Sequence, residues 1–282
     1  MPPADPDQPE AFERGLALLA PYYRELGLTP PQPPADDYWP RFEDQAEALI
    51  EARPAVFSFV YGVPPKSILD RCRDKDIMSL GTATTVAEAR ALETAGVDMI
   101  VATGFEAGGH RVSFLDNAEA SLTGSLALLP QVADAVSVPV IAAGGIADGR
   151  GVAAALILGA QGVQVGTAFL VCAESSASAT HRRMLFSDRA ANTGLTRAFS
   201  GRLARGIRNR LMTEMEGADG LPGYPLQTWL TKPLKDEAAR RDDPELMALW
   251  AGQAAPLLRH HRADALFDGL VAQTHAILGG RL

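Results

Sequence analysis

Two segments of the chain, AGVDMIVATG at residues 95–104 and GAQGVQVGTA at residues 159–168, share one design. Each has a glycine near its start that can end a helix, then a short apolar strand, then a loop that contains glycine. Short and almost continuously apolar strands are typical of a parallel sheet that is covered on both faces. The repeat therefore predicts βα units, as in a barrel or a doubly wound sheet.

The same alternation extends outward from these segments, from about residue 41 to about residue 173. Amphipathic helices separate the strands, and two of these helices begin at recognisable caps. Thr85 and Glu88 form a capping box, and Asp148 can cap the helix that follows it. The predicted strands lie at 55–61, 77–81, 97–102, 138–143 and 162–165.

The two ends of the chain follow other patterns. Prolines flank one helical stretch, Ala11–Leu26, which predicts an irregular surface arm with a short helix at residues 1–40. Residues 41–175 form the predicted partial β/α barrel. Beyond it the strand signal stops, which predicts a helical lid with closing helices at residues 176–282. Within the lid, helices are predicted at 176–186, 201–216, 235–251 and 256–278, with a loop at 217–234.

Composition restricts the class of protein. Hydrophobic residues make up 47% and charged residues 21% of the chain, which is ordinary for a soluble globular protein. The formal net charge of −8 argues against a general nucleic-acid or anionic-membrane surface. No apolar stretch reaches the ~20 residues of a membrane span, and no signal-peptide pattern opens the chain, so a cytoplasmic location is expected. Cys72 and Cys172 lie far apart, and no ligand cluster predicts a metal site.

The loop GFEAGGH at residues 104–110 directly follows a predicted strand. In a β/α barrel, the loops after the carboxyl ends of the strands build the active site. Gly108 and Gly109 allow a positive φ or a close approach to a ligand, and His110 is suited to proton transfer. Taken alone, the loop is weak evidence for a site, since turn glycines beside an incidental histidine are the default interpretation.

Two further loops follow the last two predicted strands. Gly144 and Gly145 separate one strand from a helix, and Gly166 and Thr167 directly follow the next strand. Glycine loops at such points expose backbone N–H groups that bind an anion, and helix dipoles assist them. Because the loops after the last two barrel strands commonly bind a phosphate, this pair predicts a phosphate site.

Residues 78–175 resemble the nitronate monooxygenase group, formerly called 2-nitropropane dioxygenases. The similarity continues more weakly to the C-terminus. The motifs that carry it are GTATTVAEARALETAGVD (81–98), GFEAGGH (104–110), PVIAAGGIADGRG (139–151) and GVQVGTAFL (162–170), followed by AFSGRLARGIRN (198–209), YPLQ (224–227) and LWAGQ (249–253).

This resemblance implies a (β/α)8 TIM barrel with a helical lid and an FMN cofactor. The implied reaction is the oxidation of alkyl nitronates by O2 to a carbonyl compound and nitrite. A neutral nitroalkane is a further implied substrate. For the assembly, a homodimer is one of the possibilities. It also implies residue roles: His110 beside the substrate as the catalytic group, the FMN phosphate at Gly144, Gly145, Gly166 and Thr167, and further cofactor contacts at Gly108 and Gly109.

Alternatives stay open at this point. An FMN- and NADH-dependent enoyl-thioester reductase shares the barrel and the EAGGH loop, and an NADH:quinone reductase is a third enzyme class. The family barrel opens with three further βα units, so the predicted TIM barrel is incomplete at its N-terminus. An inactive flavin-binding remnant or a partner subunit is therefore a second alternative. The chain also has Thr103 where the family motif usually begins with glutamine.

Some residues of the predicted lid have two interpretations. An arginine cluster is predicted on one helix, either as a solvated face or in contact with an anionic ligand. Trp250 is predicted either in a helical core or near the flavin. The arginines of this cluster are Arg202, Arg205, Arg208 and Arg210. Four histidines are predicted at the surface: His181, His260, His261 and His275.

Overall fold

The computed structural model describes residues 8–35 and 39–279. The strands in this part of the chain are β1 Val56–Phe59, β2 Met78–Ala83, β3 Met99–Thr103, β4 Gly109–His110, β5 Val140–Ala143, β6 Gly162–Gln164, β7 Thr193–Thr196 and β8 Ala204–Ile207. The helices are α1 Gln8–Leu26, α2 Phe42–Ala52, α3 Lys66–Asp74, α4 Val86–Thr94, α5 Ser125–Ala135, α6 Gly149–Ile157, α7 Thr167–Leu170, α8 Ala179–Leu185, α9 Arg210–Glu214, α10 Leu226–Arg240 and α11 Ala263–Leu278.

Five strands form a parallel sheet in the order β1-β2-β3-β5-β6, with helices between them. Apolar side chains of these strands, such as Ile100 and Val140, are buried between the sheet and its helices. Ala102 pairs with Ala142, so the carboxyl ends of β3 and β5 meet at one edge of the sheet. The predicted α/β fold of TIM-barrel type is confirmed, with five parallel strands in the described residues.

The predicted caps are present, with one difference. Asp148 accepts hydrogen bonds from the N–H groups of Arg150 and Gly151, and Thr85 accepts one from Glu88. The Glu88 carboxylate does not complete the capping box by bonding to the N–H group of Thr85. It is fully buried and instead accepts a hydrogen bond from the N–H group of Thr84 at 2.7 Å, in addition to bonds from the loop after β4.

The prediction of an arginine-rich helix at 201–216 is wrong. This segment contains β8, which pairs antiparallel with β7 and β4 in a second, three-stranded sheet, and only its end forms the short α9. Helical periodicity was misleading because Arg205 is buried on β8 rather than solvated. Its guanidinium donates a hydrogen bond to the carbonyl oxygen of Phe105 at 2.9 Å.

The prediction of a surface arm is also wrong for its helical part, since α1 packs against α10. Leu19 and Tyr23 of α1 are almost fully buried, and the Tyr23 hydroxyl donates to the carbonyl oxygen of Leu230 at 2.6 Å. The helix is therefore part of the hydrophobic core of the lid. The other residues of the predicted arm that precede Gln8, and residues 36–38, lie outside the described part of the chain.

Two further predictions for the lid need correction. Helix α10 begins at Leu226, within the predicted loop, and ends at Arg240. His181 is not a surface residue, because it is buried and its Nε2 atom lies 2.9 Å from the carbonyl oxygen of Trp250. Among the described residues, no helix has both the length and the apolar character that crossing a membrane requires.

Candidate active site

Three loops that follow sheet strands meet at one edge of the parallel sheet. The Gly104 N–H group donates a hydrogen bond to the carbonyl oxygen of Ala143 at 3.0 Å, which joins the loop after β3 to the end of β5. A Cβ atom on Gly144 would lie 3.0 Å from the backbone nitrogen of Ala107, so these loops are in direct contact. The sequence had predicted this meeting from the parallel order of the strands.

The loop after β5 requires glycine at two successive positions. Gly144 and Gly145 have φ values of +91° and +72°, a region that residues with a Cβ rarely adopt. Within the described residues, the N–H group of neither glycine donates a hydrogen bond. The loop therefore presents two unused backbone donors at the edge of the sheet, as an anion site requires.

The loop after β6 is open on its outer side. A Cβ atom on Gly166 would meet no heavy atom within 4 Å, and its φ of −103° is accessible to any residue. The N–H groups of Gly166 and Thr167 also have no acceptor in the described part of the chain. The Thr167 hydroxyl is used differently, since it accepts a hydrogen bond from the N–H group of Gly252 at 3.0 Å.

The start of α6 does not contribute free donors. Asp148 accepts from the first-turn N–H groups of Arg150 and Gly151, and the Gln273 side chain accepts from Gly149 at 3.0 Å. A carboxylate at this position also opposes the approach of a second anion. The available donors are thus those of the loops themselves rather than those of the α6 terminus.

The two positions before His110 require glycine for different structural reasons. A Cβ atom on Gly108 would lie 2.6 Å from the backbone of Ala251 and Gly252, so Gly108 is needed for the close approach of the lid. Gly109 has a φ of +79° and faces open space. Only Gly109 of this pair has room for a ligand on the side where a Cβ would project.

His110 lies on β4, half-buried, where the loop enters the small antiparallel sheet. Its Nε2 atom is 2.7 Å from the Ser200 hydroxyl, while Nδ1 makes no hydrogen bond within the described residues. Burial lowers the pKa of His110 to about 4, and the positive charges of Arg202 and Lys235 act in the same direction. The imidazole is therefore neutral at pH 7 and able to accept a proton.

A cluster of aromatic and cationic side chains surrounds His110. The Arg202 guanidinium carbon lies 3.8 Å from the centroid of the Tyr61 ring and 3.9 Å from that of the Tyr224 ring. The ring of Trp250 is 5.6 Å from that of His110, centroid to centroid. Of these residues, sequence reasoning had singled out only Arg202 and Trp250, each with a second interpretation, and Trp250 does not lie in a helix.

A buried arginine, Arg111, holds the loop after β3 in place. Arg111 donates hydrogen bonds to the carbonyl oxygens of Thr103 at 2.5 Å and Thr84 at 3.1 Å, and also to Ser121. Desolvation lowers its pKa to about 10, which leaves it charged at pH 7. Thr103, the departure from the family motif, is thus buried and its carbonyl is used in holding the loop.

Comparisons with known proteins agree with this architecture. The family model described as nitronate monooxygenase matches residues 18–272. A probable nitronate monooxygenase of Staphylococcus aureus strain JH9 is 43% identical over 269 residues, which cover 95% of this chain and 76% of that protein. A second, from strain Newman, is 42% identical over the same length.

Solved structures give the same result. A nitroalkane oxidase from Streptomyces ansochromogenes superposes with a TM-score of 0.90 at 38% identity, over 99% of this chain and 80% of the other. FabK from Thermotoga maritima superposes with a TM-score of 0.71 at 27% identity, over 86% of this chain and 74% of the other. On the family match and the extent of the identity, the chain belongs to the nitronate monooxygenase family.

Proposed function

We propose that this protein is an FMN-dependent oxidoreductase that uses O2 to oxidise alkyl nitronates to a carbonyl compound and nitrite. The observation that carries the proposal is a neutral histidine beside unused backbone donors at the carboxyl edge of a β/α sheet. Family membership and the likeness to a nitroalkane oxidase support the same reaction class.

The loops fit the phosphate end of FMN. Gly144, Gly145, Gly166 and Thr167 offer N–H groups without acceptors in the described residues, and a Cβ on Gly166 would project into open space. A phosphate is bound well by several such donors with little side-chain bulk. When bound, FMN would supply the redox chemistry, taking electrons from the substrate and passing them to O2.

His110 can serve either form of the substrate, because the Ser200 hydroxyl can both donate and accept. When Nε2–H donates to Ser200, Nδ1 is a base that can remove the α-proton of a neutral nitroalkane. When Ser200 donates to Nε2, Nδ1–H can donate to a nitronate oxygen. The lowered pKa of His110 favours these two neutral forms over the cation.

The test is to purify the chain and identify any flavin that heat releases from it. We expect the released flavin to be FMN. We also expect the protein to take up O2 when a nitronate is added and to form one nitrite for each nitronate consumed. A protein that binds FMN but consumes no O2 with any nitronate would contradict the proposal.

The same preparation separates the rival enzymes. Rapid reduction of the flavin by NADH under anaerobic conditions would favour the enoyl-thioester or quinone reductase. We expect NADH to reduce it slowly, and a nitronate to reduce it rapidly.

A further inference from the structure

We propose that Arg202 is the residue that recognises the negative charge of the substrate, as a guanidinium fixed between Tyr61 and Tyr224. The inference rests on the proposed function and extends it to a residue outside the GFEAGGH loop. It makes Arg202 a substrate-binding group, distinct from the proton-transfer role of His110.

The Arg202 guanidinium is held in a fixed position. The guanidinium lies between two aromatic rings, 3.8 Å from the Tyr61 centroid and 3.9 Å from the Tyr224 centroid. Tyr224 is itself held by an edge-on contact with Trp39, at 5.3 Å between centroids. Two such cation–π contacts restrict the positions that the guanidinium can take, while its N–H groups keep the geometry that binds an oxyanion.

Arg202 differs from the neighbouring arginines in its hydrogen-bond acceptors. Arg205 donates to the carbonyl of Phe105, whereas Arg208 and Arg210 are paired with glutamates. Within the described residues, no carboxylate or backbone carbonyl accepts a hydrogen bond from the side chain of Arg202, although it is half-buried. A half-buried guanidinium without a counter-charge is expected where a ligand supplies that charge.

Arg202 lies beside His110. Ser200 joins Arg202 to His110, since its hydroxyl contacts His110 Nε2 at 2.7 Å and lies 3.3 Å from the Arg202 carbonyl oxygen. Tyr61 lies beside both residues, because its ring centroid is 6.5 Å from that of His110 and the Arg202 guanidinium carbon lies over its ring. Lys235 on α10 is a second cation near His110 and forms no ion pair in the described part of the chain.

The chemistry of a nitronate fits this arrangement. Its two oxygens share one negative charge in a plane, which matches the fork of N–H groups on a guanidinium. Arg202 and Lys235 would also favour the anion as it forms from a neutral nitroalkane. The same charges oppose protonation of His110, so substrate binding and the neutral base have a common electrostatic cause.

Nitrate is a suitable probe because it is a planar oxyanion that cannot react. Calorimetric titration of the purified protein with nitrate, at an ionic strength held constant with chloride, should show binding that Arg202→Gln weakens by about 10- to 100-fold. Arg202→Lys keeps the charge without the fork and should weaken nitrate binding less. Arg208 of the same segment is also half-buried but is paired with Glu216, so Arg208→Gln is the matched control and should bind nitrate normally.

A second readout distinguishes this role from a structural one. Arg202→Gln should raise KM for the nitronate more than it lowers kcat. It should also move the acid limb of the pH profile to higher pH, because one cation facing His110 is lost while Lys235 remains. Tyr61, Ser200 and Trp250, the other groups around the imidazole, are unchanged in this variant.

Normal nitrate affinity in a folded Arg202→Gln protein would overturn the proposal, as would a selective loss of FMN affinity. If Arg202→Gln does not fold, Arg202→Lys decides, with normal nitrate affinity again the contrary result. Failure of the proposed function is distinguishable, because a protein that binds nitrate through Arg202 but oxidises no nitronate would contradict only the reaction.

Discussion

Gly166→Ala should weaken FMN binding without destabilising the protein. A Cβ atom at this position meets nothing within 4 Å, and the φ of −103° suits alanine, so the free energy of unfolding should change by no more than about 0.5 kcal/mol. If the FMN phosphate lies against this backbone, the methyl group enters its space. Overpacking of about 1–3 kcal/mol corresponds to a Kd for FMN that is about 5- to 150-fold higher.

Two other glycines provide controls for this experiment. Gly223→Ala is equally unhindered and lies outside the phosphate loops, so it should keep both FMN affinity and Tm. Gly144→Ala combines a φ of +91° with backbone contacts at 3.0 and 3.1 Å. The positive φ alone costs about 1–2 kcal/mol, which lowers Tm by roughly 2–8 °C.

The assay is flavin fluorescence quenching during titration of FMN-free protein, with Tm measured in parallel. An unchanged Kd for FMN in Gly166→Ala would refute the assignment of this loop to the phosphate. A lowered Tm of the FMN-free variant would instead refute the steric argument, since it would show that the space beside Gly166 is not open.

Two substitutions and two pH-dependence measurements test the site and its support. His110→Ala should lower turnover by about 10²–10⁴-fold while FMN stays bound, and unchanged turnover would exclude a catalytic role. The acid limb of kcat/KM for a neutral nitroalkane should lie near pH 4 rather than near 6.5, as the lowered pKa of His110 requires. Because the unfolded chain binds this proton at higher pH than the folded protein, His110 should also reduce stability as pH falls from about 6.5 to about 4, which urea unfolding at several pH values can measure. Asp148→Ala removes the cap of α6 and should lower the free energy of unfolding by about 1 kcal/mol, with FMN affinity retained because the α6 terminus is not among the free donors.

The sheet could be predicted from sequence because its strands are short and almost continuously apolar. Residues such as Ile100 and Val140 then form apolar runs that glycine and helix caps separate clearly. The loops after these strands could also be located, since parallel strands bring their carboxyl ends to one edge. His110 and the glycines of the predicted phosphate loops were accessible to sequence reasoning for this reason, although their roles stay predictions.

The lid was harder because its strands carry polar residues in buried positions. Arg205 on β8 is buried yet charged, and its acceptor, the carbonyl of Phe105, is 100 positions away in the chain. One local signal did oppose the predicted helix. Gly201 has a φ of +76°, and a Cβ on Gly206 would lie 2.8 Å from the carbonyl oxygen of Leu249, so both glycines fit a turn and a strand better than a helix interior.

The contacts of the lid explain why these sequence signals belong together. Segment 249–253 crosses the loops at the sheet edge, where the Gly252 N–H group donates to the Thr167 hydroxyl and the Gln253 N–H group donates to the Glu106 carbonyl oxygen. Gly108 permits this approach, and Trp250 then reaches the ring of His110. The lid therefore supplies part of the site wall, and changes in segment 249–253 should alter the surroundings of His110 and of the phosphate loop together.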